Sequence, residues 1–141
     1  MKIIGSIVLP LVITASVVAQ HPDEPFVTEH YYKAKWGYAE EFINLYKKNH
    51  YPLMKKLQEK GDILRIVVEK PRLHSSEDSR WDYRVILVWK NARVSYDSQS
   101  SEPYKRELYP DQVTFVKEEK RRFEILEAHW DIPTEVVNLD E

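Results

Sequence analysis

At 141 residues, 43% of them hydrophobic and 12% aromatic, the chain holds material for one domain with a single core. A formal net charge of −2 with acids and bases interspersed excludes the clustered basic face of a nucleic-acid binder. With no cysteine there is neither a disulfide framework nor a thiol nucleophile, and packing must supply the stability.

Residues 1–19 stand apart from that core. Lys2 precedes an apolar run from Ile3 to Val18, and Val17 and Ala19 sit at the −3 and −1 positions of a cleavage site before Gln20. A charged start, an apolar middle and small exit residues make a secretory signal peptide. Pro10 and a length short of the roughly 20 apolar residues of a spanning helix argue against a stable membrane anchor. No cysteine follows to carry a lipid. The mature chain is therefore expected to be secreted or periplasmic after cleavage near Ala19. Residues 20–25, with two prolines and two acids, form a linker, and 26–141 form the domain.

From Phe26 to Lys35 the pattern has period two, with Phe26, Thr28, His30, Tyr32 and Ala34 on one parity and Glu29, Lys33 and Lys35 on the other, which predicts a strand. Gly37 breaks it. Ala39, Phe42, Ile43, Tyr46, His50, Leu53, Met54 and Leu57 then recur at three-and-four spacing, the stripe of an amphipathic helix. Pro52 removes an i→i−4 hydrogen bond and crowds the Lys48 carbonyl, so the helix should kink there, and Gly61 ends it. Ile63 to Lys70 is a second, β-branched strand, followed by a polar loop over Arg72 to Arg80. Trp81 to Lys90 is a third strand, with Trp81, Tyr83, Val85, Leu87 and Trp89 on one parity.

Asn91 to Ser101 is irregular, and Pro103 opens a short helix. A longer helix is expected from Pro110 and Asp111 through Trp130, since Gln112, Val116, Glu119, Phe123, Leu126 and Trp130 keep helical spacing. His129 and Trp130 would anchor its end. Glu135 to Leu139 is expected as a short last strand. The order is then that of an α+β, ferredoxin-like βαββαβ domain with an antiparallel sheet. Helices on one sheet face leave the other open. There Val27, Tyr31, Ile63, Val67, Ile86 and Val88 lie among Glu29, Arg65, Glu69 and Arg84, a mixed face that a second subunit's sheet would naturally cover.

This order resembles the dimeric α/β-barrel superfamily, in which two ferredoxin-like subunits press their sheets together. The run Phe42-x-x-x-Tyr46-x-x-x-His50-x-Pro52-Leu53 is similar to the helix of EthD-type members. Tyr31-Tyr32-Lys33 and Glu127-Ala128-His129-Trp130-Asp131 are similar to segments of small exported bacterial members of unsettled role. The resemblance implies a homodimer. Relatives of this kind include cofactor-free monooxygenases, polyketide cyclases, lactone isomerases and haem-degrading enzymes, and fold does not choose among them.

If the aromatic parities face the helices, His30, Tyr32, Trp81, Tyr83 and Trp89 from the sheet meet Tyr46 and His50 from the helix. Such a pocket would take a small apolar or aromatic ligand. His50 or His30 could exchange a proton with an enolisable substrate while a tyrosine hydroxyl holds the oxyanion, making a cofactor-independent isomerase, cyclase or monooxygenase. Alternatively, His50 satisfies the carbonyls freed at Pro52 and the protein only binds its ligand. No His-x-His, His-Glu-x-x-His or Gly-x-Ser-x-Gly motif is present, so no metal is expected. No cofactor is called for, and haem has only a lone helix histidine such as His50 in its favour. His21 and His74 fall in polar stretches and are expected to be solvated.

Overall fold

The computed structural model describes residues 24–135 apart from 74, together with 137 and 139. The expected signal peptide, most of the expected linker, His21 and His74 lie outside the described residues. The described elements begin with β1 (Phe26–Ala34), α1 (Ala39–Leu45), a π-helical turn (Tyr46–His50), α2 (Tyr51–Lys60) and β2 (Ile63–Glu69). They continue through β3 (Tyr83–Trp89), α3 (Ala92–Ser95), α4 (Glu102–Leu108), α5 (Gln112–Glu124) and β4 (Leu126–Thr134). Among the described residues, none of the helices is long and apolar enough to cross a membrane.

The strands form one antiparallel sheet in the order β2-β3-β1-β4. β1 and β2 both flank β3, and β3 and β4 share β1 as neighbour, so each half is a split βαβ unit and the domain is ferredoxin-like. The helices lie on one face. Tyr32, Val85, Leu87 and Trp89 from the sheet are buried with Phe42, Ile43, Tyr46, Leu53, Met54 and Leu57 from the α1–α2 arm and Phe115 from α5. Local chemistry sets the element ends. Glu40 and Glu41 sit in the first turn of α1, where acids favour the helix dipole. Gly61 closes α2 at φ 87°, in the left-handed region open to glycine. The Asp111 carboxylate accepts the Thr114 N–H at 3.0 Å and caps α5.

Three expectations are corrected. The last helix does not reach Trp130: α5 stops at Glu124, and Leu126–Thr134 is the fourth strand, while the strand expected over Glu135 to Leu139 lies partly outside the described residues. The cause is tertiary, because Lys35 N–H donates to the Ile125 carbonyl and β1 then offers β4 a full pairing edge from Ala34 to Val27. His129 and Trp130 consequently lie on a strand, on opposite faces of it. Second, Ile63 is not on the open face. A register shift between Ile63 and Arg65 turns Ile63 inward opposite Trp89, where it is 1% exposed, while Arg65, Val67 and Glu69 keep the open face. Third, β3 starts at Tyr83 rather than Trp81. Trp81 therefore escapes the strand's alternation.

Candidate functional site

The kink expected at Pro52 is a π-turn. Tyr51 N–H reaches back to the Tyr46 carbonyl, five residues earlier, and the extra residue is absorbed just before the proline. The turn rotates the stripe, so Asn49 is 1% exposed and donates to Glu118 at 2.9 Å, while His50 sits at the rim. The carbonyls near Pro52 are not capped by His50. The Tyr109 hydroxyl, from the segment joining α4 and α5, is 3.0 Å from the Lys48 oxygen and 2.8 Å from that of Asn49. His50 is thereby left without a structural hydrogen bond among the described residues. Its nearest carboxylate, Glu119, is 4.0 Å from Nδ1.

Opposite this turn lie β1 and β4. Tyr32 pairs with His129 across the strands, and their rings stack at 4.5 Å with 7° between planes. Tyr32 also meets Tyr46 edge-on at 5.8 Å, and Tyr46 meets His50 at 5.0 Å. α5 contributes Arg122, 2% exposed, whose guanidinium forms a two-point bond to Glu119 at 2.9 and 2.8 Å. That guanidinium also lies 5.9 Å from the Tyr46 ring and 4.5 Å from Phe123. One residue pair along, His30 Nδ1 is 2.6 Å from Asp131 Oδ1, and His129 Nε2 approaches the same oxygen at 3.0 Å.

Electrostatics divides these groups. Burial, with the Arg122 charge next in size, holds the His50 imidazole far below its ordinary pKa, so it is neutral. Burial likewise lowers His129, although Asp131 pulls the other way. Burial pushes both the Tyr32 and Tyr46 phenols up, so they are protonated donors. Neither phenol has a hydrogen-bond partner among the described residues, and no fully enclosed side-chain polar atom there lacks one. Among the described residues, the two hydroxyls are thus left available to a solvent or ligand atom. A cavity of about 310 Å³ is lined by Tyr46 together with Ile43, Lys47, Tyr51, Ile66 and Val68.

Of the residues singled out in the sequence, the fold brings together His30, Tyr32, Tyr46 and His50. Tyr83 stays on the helix side but turns toward Phe42, 6.0 Å between rings. Trp89 is at the far end of the sheet, donating from Nε1 to the Thr28 hydroxyl at 2.9 Å. Trp81 packs edge-on against Tyr31 at 5.7 Å, on the open face, and does not line the cleft. Sequence reasoning missed Arg122, Glu119 and Asp131, and placed His129 in a helix. The signal for Arg122 and Glu119 was their i,i+3 spacing, which is common on exposed helices.

No model of a protein family matches the sequence, and neither does any curated protein. Solved structures do. The chain is similar to a hypothetical protein of Arabidopsis thaliana at 10% identity, with 86% of this chain and 96% of that one covered and a TM-score of 0.56. It is similar to the PA3566 protein of Pseudomonas aeruginosa at 13% identity, with 84% and 100% covered and a TM-score of 0.52. A dimeric ferredoxin-like protein from an uncultured marine organism aligns at 11% identity over 84% and 96%, with a TM-score of 0.48. At such identities the likeness of the first two reaches the fold, in agreement with the ferredoxin-like topology of the sheet.

Proposed function

We propose that the protein binds a small planar, apolar or aromatic molecule in the cleft between β1–β4 and the π-turn, as an EthD-like homodimer of the dimeric α/β-barrel type. The observation that carries the reading is the pair of enclosed phenols, Tyr32 and Tyr46, 3% and 2% exposed, with hydroxyls that no described residue uses. Ring faces supply the apolar walls and the two O–H groups can donate to an oxygen on the ligand. The reading requires no haem or organic cofactor. The homodimer would form through the open sheet face, and the signal peptide would export the chain to the periplasm or medium.

Binding is favoured over proton transfer because His30 has both ring nitrogens engaged, by Asp131 and by Thr28. His50 is neutral but weakly basic, whereas an efficient general base has a pKa near the working pH. One observation favours the enzymatic alternative, a cofactor-independent isomerase, cyclase or monooxygenase: Glu119 stands 4.0 Å from His50 Nδ1, where a small closure would orient the imidazole.

The test is native mass spectrometry of the purified mature protein, followed by titration with a hydroxynaphthalene probe. A dimer that takes up the probe, with affinity reduced by about tenfold in Tyr46→Phe, supports the reading, since one hydrogen bond is worth about 1–1.5 kcal/mol. Equal affinity in Tyr32→Phe, Tyr46→Phe and the parent would sink it. Turnover of an enolisable substrate that disappears in a folded His50→Asn variant would move the function to the enzymatic side.

A further inference from the structure

His30, His129 and Asp131 offer two imidazole nitrogens and one carboxylate oxygen, all within 4.8 Å of one another, on adjacent strands of the helix-covered face. We propose that these three side chains form a binding site for a divalent first-row transition ion, with zinc or iron(II) the best matches to an N₂O donor set. The proposal does not depend on the ligand reading above.

The geometry is close to what an ion needs. Ligand bonds of about 2.0–2.2 Å put neighbouring donor atoms about 3.0–3.4 Å apart around a tetrahedral or octahedral centre. Asp131 Oδ1 is already 2.6 Å from His30 Nδ1 and 3.0 Å from His129 Nε2. Protons now hold Asp131 to the imidazoles, and a cation exchanging for them asks those two contacts to lengthen by less than an ångström. Each ligand comes from the regular part of a strand, and β1–β4 pairing sets His30 opposite Asp131 and Tyr32 opposite His129. The scaffold is therefore rigid where precision counts.

A supporting layer is also in place. Metal-bound histidines commonly donate their second N–H to a nearby acceptor, which fixes tautomer and ring angle. His30 Nε2 is 2.8 Å from Thr28 Oγ1, whose other lone pair takes the buried Trp89 indole N–H at 2.9 Å. The proton between His30 Nδ1 and Asp131 is the one an ion would displace, with Nε2–H then donated to Thr28 Oγ1. On the His129 side, the Tyr32 ring stacked at 4.5 Å holds the imidazole plane. The neighbouring Arg122 is matched by its two-point bond to Glu119, so it does not stand as an uncompensated charge against the ion. Three protein ligands leave further positions open to solvent, consistent with Asp131 being 53% accessible.

The experiment takes the mature chain, untagged and stripped with a chelator, and titrates Co²⁺ as a spectroscopic probe with Zn²⁺ as competitor. The expected result is one Co²⁺ per chain with visible d–d absorption, displaced by Zn²⁺, and a Zn²⁺-dependent rise in melting temperature. Asp131→Asn and His129→Gln should each weaken Co²⁺ binding by at least about tenfold, the scale on which even supporting groups act. The two positions are alternatives should one variant fold poorly by circular dichroism. Absence of saturable d–d absorption, or binding that both folded variants leave unchanged, would overturn the site.

Discussion

The two faces of β1 hold their polar groups in different ways. On the helix side, His30 and Tyr32 belong to an enclosed array in which Arg122 and Glu119 are locked together and two phenols wait for a partner. On the open side, Glu29 and Tyr31 lie in a flat ladder: Tyr31 stacks on Trp130 at 5.2 Å and 4°, meets Trp81 edge-on, and Arg84 ties Glu29 to Glu69. Arg84 is thus paired with both carboxylates, yet Trp130 and Ile132 remain 37% and 42% exposed. On the proposed reading, one strand would carry two kinds of recognition. An enclosed face with spare hydroxyls suits a small molecule, while a flat aromatic and ion-paired face suits another sheet.

Breaking the enclosed face should cost folding. Arg122→Met leaves Glu119 facing the cleft without its guanidinium, and loss of one partner of a buried pair costs about 3 kcal/mol or more. Urea denaturation should show it as a lower midpoint at unchanged slope. Breaking the open face should cost association instead. Ile132→Lys places an ammonium opposite Glu29, which the monomer tolerates and an apposed sheet does not. Light scattering should then report a monomer, or a dissociation constant raised at least about tenfold for each 1.4 kcal/mol lost. If Ile132→Lys lowers stability as much as Arg122→Met and leaves mass unchanged, the contrast between the faces is wrong. A smaller effect is expected at the hinge: Tyr109→Phe removes the donor to the Lys48 and Asn49 carbonyls, worth about 1 kcal/mol in the same denaturation assay.

Much of this fold was legible in the residues because three strands and one long helix carry clean periods. Phe26 to Ala34 alternates, and Phe42, Ile43, Tyr46, Leu53, Met54 and Leu57 are buried as their spacing requires. The misses share a physical cause, which is that one residue of slippage has no compositional mark. The π-turn adds a residue and exchanges His50 for Asn49 at the inner position. The register shift after Ile63 inverts that residue's face. The α5–β4 junction has no glycine or proline, since Ile125 ends the helix in right-handed geometry and the chain runs directly into Leu126. The cleft was half legible for the same reason. His30, Tyr32 and Tyr46 lie on elements with correct phase, whereas His50 is shifted to the rim by the π-turn and His129 and Asp131 needed the true position of β4.

The mildest probe of the enclosed face is pH. An imidazole whose folded pKa lies below its unfolded value of about 6.5 binds a proton more readily in the unfolded chain. The contribution of neutral His50 is therefore fully present above pH 6.5 and is lost progressively as pH falls toward about 3. The groups facing it are Arg122 and Glu119 from α5, Lys105 from α4, His30 from β1 and His129 from β4. A comparison with His50→Asn removes the shared background, because the other groups remain in both proteins. Denaturation curves from pH 7.5 to 5 should fall more steeply for the parent than for the variant. Parallel curves would mean that His50 takes up its proton without disturbing the fold, as a group on the open face would.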